Sequence, residues 1–224
     1  GITGAGLQSL GMSLPGMRRL SLHGTALTDD GLRVISAGMV SLESLVVRSC
    51  AAVTDDGIQA VGSLGTLSRL NVGRNLHLTG AFMTTNWRAP LTHFSAERTL
   101  FSDAAMRTLA ACCPTLVSAN FKSCNAFGDA GLAAFAMHES LQYLHLSACS
   151  RVTYAGVAHL AQCSSLRRVW MSSPPGPTCE DAASDARALF SAGVLHIDCH
   201  DSEVFLQTGA RGCTATPTPW PRTR

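Results

Sequence analysis

The sequence predicts an α/β solenoid of about seven to eight strand–turn–helix units, with parallel strands on a concave face and helices on the convex one. Three observations predict it. Segments beginning at Met17, Leu42, Leu67, Leu91, Leu116, Leu141 and Leu166 follow at steps of 25, 25, 24, 25, 25 and 25 residues, and a further start at Val194 comes after 28. Each segment opens on alternating apolar residues. As the eleventh or twelfth residue of the unit, an apolar residue is followed by Thr, Ser or Gly, as in Leu27-Thr28, Val53-Thr54, Leu78-Thr79, Phe101-Ser102, Phe127-Gly128 and Val152-Thr153. A fixed period of this length marks stacked units, none of which buries its apolar face alone.

Each element has its own reason. Leu42, Leu45 and Val47 match Leu116, Ala119 and Phe121, and Leu141, Leu144 and Leu146. Their period of two is that of a short half-buried strand. The Thr or Ser that follows stands at a helix N-cap, where its hydroxyl accepts an orphan backbone N–H. Asp29, Asp30, Asp55, Asp56, Asp103 and Asp129 then fall in the first turn, where negative charge suits the helix dipole. Helical spacing comes next in Leu32 with Ile35, Ile58 with Val61, Met106 with Leu109, and Val157 with Leu160.

The chain opens on I-T-G-A-G-L-Q-S-L, the helix half of a unit without its strand half, so further protein is expected to cover Ile2 to Leu14. The solenoid is assigned to residues 1–200. Residues 201–213, with Val204, Phe205 and Leu206, are expected to cover the last core edge. Residues 214–224, T-A-T-P-T-P-W-P-R-T-R, form an extended Pro-rich tail whose Trp220 is expected to dock on a neighbouring subunit.

Composition narrows the function. Of 224 residues 46% are apolar and 14% charged, against roughly 25% charged in an ordinary globular domain. That excludes a solvated disordered chain. A net charge of +2, from 17 basic and 15 acidic residues, argues against a dedicated nucleic-acid binder. No apolar run reaches the 18 or so residues of a spanning helix. The repeat accounts for part of the charge deficit, and the remainder predicts a surface largely covered inside an assembly.

The copy from Cys113 to Leu132, C-P-T-L-V-S-A-N-F-K-S-C-N-A-F-G-D-A-G-L, resembles the leucine-rich repeats of the cysteine-containing type found in F-box/leucine-rich-repeat proteins. C-S-S-L-R-R-V-W-M, Cys163 to Met171, and the stretch from Leu141 through Cys149 to Val157 are similar copies. The resemblance covers about Ile2 to Cys199. It implies a leucine-rich-repeat solenoid and an interaction role, with substrate recognition in an F-box-type ubiquitin ligase as the alternative, for which no F-box module is present in the chain. Two units depart from the pattern. The unit at Leu67 has Asn75 in place of the cysteine and an unusual N-W-R-A-P ending. The unit at Leu91 carries Glu97, Arg98 and Thr99 where small or apolar residues are expected, which predicts a distorted strand there.

Cys50, Cys124 and Cys149 take the turn after the strand, while Cys113 and Cys163 precede the first leucine. As buried thiols they are structural residues, packed as small hydrophobes with a weak donor, and they point to an intracellular reducing compartment: cytoplasm, cilium or mitochondrion. No cofactor is implied. His196, Asp198 and His200 alternate on the last strand and form a weak candidate metal set, outweighed by a reading as a polar strand face. There is no nucleophile elbow, Walker loop or zinc-protease helix, so no catalytic residue is assigned.

The polar strand positions offer a recognition surface. Arg19, Arg48, Arg69, Glu97, Lys122, Tyr143, His145, Arg168 and Trp170 are the candidate partner-binding residues of the concave face, mildly basic and carrying the aromatic and arginine types that dominate binding hot spots. The expected function is a non-catalytic scaffold subunit whose partners are other proteins.

Overall fold

A computed structural model describes residues 16–172 throughout, positions 6, 7, 9, 13 and 14 before them, and 192 and 194–198 after them. Among the described residues, eight strands form one parallel sheet in sequence order: β1 Arg19–Ser21, β2 Ser44–Val46, β3 Arg69–Asn71, β4 His93–Ser95, β5 Ser118–Asn120, β6 Tyr143–Leu146, β7 Arg168–Ser172 and β8 Leu195–Asp198. Neighbouring parallel strands need a crossover of a dozen or more residues, which each unit supplies. Pairing is in register by unit, Arg19 to Ser44 to Arg69 to His93 to Ser118 to Tyr143 to Arg168. The central residues Leu45, Leu70, Phe94, Ala119, Leu144 and Val169 point into the core. This is the expected fold. The strand of the unit at Leu91 is not distorted: β4 pairs regularly on both sides.

The helices are α1 Asp29–Gly38, α2 Asp55–Val61, α3 Asp103–Cys112, α4 Asp129–Leu132 and α5 Tyr154–His159, the last two each continued by a 3-10 turn. Thr28, Thr54, Ser102 and Thr153 cap them through their hydroxyls, as expected. Gly128 has no side chain to do so, and α4 is the shortest. The first-turn aspartates do more than meet the dipole. Asp29 accepts from the backbone N and hydroxyl of Thr54 at 2.8 and 2.7 Å, and Asp129 from those of Thr153 at the same distances. Asp55 accepts from Thr79 and Asp103 from the Gly128 N–H. The starts of α2, α4 and α5 are thus fixed by the helix before them, and Asp55 holds the turn at Thr79 in the same way.

The third unit has no helix, contrary to the uniform pattern. Between β3 and β4 the chain runs in turns, with Phe82, Met83 and Trp87 buried in place of a helix face. Gly80 at φ 84° leaves the helical region at the place a first turn would occupy, Thr84, Thr85 and Asn86 favour helices poorly, and Pro90 ends the unit. Trp87 lies over Gly62, where a Cβ would come within 2.5 Å of the indole ring, and donates its Nε1 hydrogen to Ala89 O at 3.1 Å. Phe82, Phe94, Phe101, Phe121 and Phe127 form a chain of tilted and edge-on ring contacts, 5.2 to 6.3 Å between centroids, through the middle of the core.

Two columns of polar groups run across the turns. Cys50, Cys124 and Cys149 donate their thiol hydrogens to Leu22 O, Ala96 O and Phe121 O at 3.0 to 3.1 Å, one unit back. In the same column Asn75 donates to Val47 O and Val72 O, and Thr99 donates to Ala96 O. The expected thiol role therefore extends from packing to satisfying buried carbonyls, which Asn and Thr also do. In the second column, Cys163 donates to His138 O at 3.0 Å. His138 Nδ1 accepts from the Ser140 and Leu141 amides, which leaves Nε2 to donate to Cys113 O at 3.1 Å.

Candidate functional site

The outer face of the sheet is built from the strand positions that alternate with the buried ones. Its first row is Arg19, Ser44, Arg69, His93, Ser118, Tyr143 and Arg168, and its second is Ser21, Val46, Asn71, Ser95, Asn120, His145 and Trp170. Ser95, Ser118 and Asn120 sit on this face yet are buried by their neighbours. The expected candidate residues of the strands and turns fall into three groups.

At the end of β6 and β7, Tyr143 and Trp170 stack with centroids 6.4 Å apart and an interplanar angle of 25°. The His145 ring lies 5.8 Å from Trp170, and the Arg168 guanidinium carbon sits 5.5 Å from the indole centroid. Trp170 is half-buried rather than fully exposed. The sequence supplied these four residues, and the register brings them together.

Around the turn after β4, Glu97 receives Arg48 Nη2 on both carboxylate oxygens at 3.0 Å, with Arg74 Nε at 3.5 Å and Arg98 Nε at 4.0 Å. Arg48 and Glu97 were expected as separate contact residues; they bind each other. The Arg48 Nε hydrogen is buried without a partner. Arg74 and Arg98 were not assigned to any site. They occupy a turn position with left-handed backbone, shared with Gly24, Ser49, Ser123 and Ala148 at φ between 56° and 67°. Glycine at only one of six such positions hides the turn from a sequence reading. Each N–H of the column reaches the next unit, as in Arg74 N to Glu97 O and Arg98 N to Lys122 O. Lys122 is exposed beside this group.

Arg19 and Arg69 flank a shallow depression with Glu43, Ser44 and Ser68 at the start of β1 to β3. Burial, and then the charge of Arg69, lower the pKa of His93. Burial also pushes the Cys113 and Cys149 thiols up to about 12. Cys124 moves the same way, and Cys50 and Cys163 are likewise buried and unbonded to another sulfur. Among the described residues no three His, Cys, Asp or Glu side chains converge as a metal site, and no helix is long and apolar enough to cross a membrane. The backbone register sets His196 beside Trp170 and Asp198 beside Ser172. His200, Trp220, and the expected edge cover and tail at 201–213 and 214–224 lie outside the described residues.

Residues 39–62 match the family described as Leucine Rich repeat. Among solved structures, an internalin (InlF) from Listeria monocytogenes is similar at 20% identity and a TM-score of 0.58, over 88% of this chain and 49% of that one. Internalin C2 from the same organism matches at 21% and 0.55, over 74% of each chain. A chain of the yeast Rad7 and Elc1 complex matches at 15% and 0.51, over 76% of this chain and 54% of that one. The protein thus spans about half the length of that yeast chain.

Proposed function

We infer the function from the fold, an α/β leucine-rich-repeat solenoid. We propose that this protein is a non-catalytic protein–protein interaction subunit of the cysteine-containing leucine-rich-repeat type, and that it binds a partner protein on the outer face of its sheet. The observation that carries the reading is the cluster of Tyr143, His145, Arg168 and Trp170. It offers a preformed aromatic platform with a cation held over it, the residue types that anchor binding energy in interfaces. The yeast chain of similar fold occurs in a complex with another protein. Thiols that donate to carbonyls without pairing suit a reducing compartment, and the Pro-rich tail with Trp220 is a second contact to a neighbouring subunit.

The test places a photo-crosslinking amino acid at Trp170 and, as a control, at Arg33 on α1, and irradiates extracts of the native source. A discrete adduct at Trp170 that is absent at Arg33, with affinity for the captured protein reduced at least about tenfold by Trp170→Ala, is the expected result. Adducts at Arg33 alone, or a partner indifferent to Trp170→Ala, would sink the reading.

A further inference from the structure

We propose that the turns of the third and fourth units form a docking site for an acidic protein segment in which carboxylates alternate closely with apolar side chains. This rests on the interaction reading above and names the chemistry of the partner. Three guanidiniums converge on the single carboxylate of Glu97. Arg48 already engages both of its oxygens, whereas Arg74 and Arg98 stand at 3.5 and 4.0 Å, 46% and 53% exposed. One carboxylate against three cations leaves an excess of two positive charges, each on a planar fork that fits a carboxylate in two-point fashion.

Two residues beyond each of these arginines comes an exposed leucine. Arg74 leads to Leu76, 68% exposed, and Arg98 to Leu100, 49% exposed. A single exposed leucine means little. Here the same Arg-x-Leu arrangement occurs twice on adjacent units, about 5 Å apart by strand spacing. The backbone of the arginines is also held. Their left-handed backbone is fixed by amide hydrogen bonds to the next unit at 2.6 and 2.8 Å, so the points from which the two side chains leave the chain are set before a ligand arrives. An extended segment crossing the two turns would set alternate carboxylates on Arg74 and Arg98 and its apolar residues on Leu76 and Leu100. Paired leucines and few cations favour such a segment over a nucleic acid, which recruits many phosphate contacts.

The probes are a fluorescein-labelled peptide of alternating Asp and Leu, its Asn–Leu counterpart, and a single-stranded RNA of equal length. The full chain is expected to bind the acidic peptide, more weakly as salt rises, and the Asn–Leu peptide at least about tenfold less well. Arg74→Asn with Arg98→Asn keeps residues that tolerate left-handed backbone and is expected to lower acidic-peptide affinity at least about tenfold. Arg33→Gln with Arg107→Gln, which removes the same charge from the helices, is expected to change it less than about twofold. Leu76→Ser with Leu100→Ser provides a variant without charge change and should also weaken binding. Equal losses in the turn and helix arginine variants, or tighter binding of RNA than of peptide, would overturn the proposal. If a partner captured at Trp170 binds the Arg74→Asn/Arg98→Asn protein undiminished, this proposal fails and the interaction reading stands. If the peptide binds as described while Trp170 yields no adduct, the platform reading is the one that fails.

Discussion

Arg48 and Glu97 meet across an entire intervening unit, and Gly73 is the residue between them. The three positions follow one another in consecutive units, so two strand spacings separate the charged pair. Gly73 has no side chain to block the guanidinium, and a Cβ there would lie 3.4 Å from Glu97 Cβ and 3.3 Å from its carbonyl oxygen. Glu97→Gln leaves Arg48, with a mostly buried head, facing a neutral acceptor. The expected loss is about 1–3 kcal/mol in urea unfolding. In a double-mutant cycle Arg48→Met should recover part of it; strict additivity would refute a direct coupling.

Gly156 carries the second prediction. In an exposed helix Gly→Ala normally stabilises by up to about 1 kcal/mol. At Gly156 a Cβ would come within 2.9 Å of Asp129 Cα and closer still to its carboxyl group, which is bonded to Thr153. Gly156→Ala, and Gly57→Ala against Asp29 by the same contact, are expected to destabilise by about 1–2 kcal/mol. Thermal unfolding of the two variants gives the sign, and a raised Tm would show that neighbouring units do not approach this closely.

The buried thiols should be inert until the protein unfolds. With Cys113 and Cys149 pushed up to about 12 by burial, reinforced by a neighbouring cysteine in each case, thiolate is scarce near neutral pH. Iodoacetamide labelling followed by mass spectrometry should leave both unmodified in the native protein and modify both in urea. Cys149→Ala removes one of the two hydrogen bonds to Phe121 O, which keeps the Cys124 amide, and should cost about 1 kcal/mol, and Cys149→Ser less.

Stability should fall on acidification through His138. Burial holds its pKa below the usual histidine range against weaker opposing effects of its bond to Cys113 and the charge of Glu139. The unfolded chain therefore takes up a proton at the ordinary value while the folded one resists, and stability is lost as pH falls through the ordinary range and below it. Protonating Nδ1 also displaces the Ser140 and Leu141 amides. His93 shifts in the same direction. Urea midpoints measured from about pH 8 down to about pH 5 should decline, and His138→Gln should flatten the slope. An unchanged slope would mean that His138 is not the group responsible.

Phe121 touches Phe94, Phe101 and Phe127. Phe121→Ala should therefore cost about 3–5 kcal/mol, near the upper end for a core truncation. A loss of under about 1 kcal/mol in calorimetry would show that the ring chain is not a continuous core.

The repeat made the fold readable. Strand starts, helix caps and the cysteine column all recur at one period, so noise at any single position is averaged over the units. The unit at Leu67 escaped because its aromatic residues fill the helix space from a turn, and nothing in a period-based reading distinguishes the two ways of burying the same area. The outer-face residues were readable one by one from strand alternation. Their pairing was not. That Tyr143, His145, Arg168 and Trp170 make one platform depends on the relative register of β6 and β7, and that Arg74 and Arg98 join Glu97 depends on a left-handed turn that three other residue types also occupy.

The solenoid, its unit boundaries, its caps and the burial of its cysteines are legible in the sequence alone, because these arise from local periodicity and short-range chemistry. Which charges neutralise one another, which aspartate holds which neighbouring threonine, and where cations are left in excess emerge only when the units stack. Those outcomes turn on distances across one or two strand spacings between residues some 25 or 50 positions apart. Stacking sets those distances, and no single unit contains them.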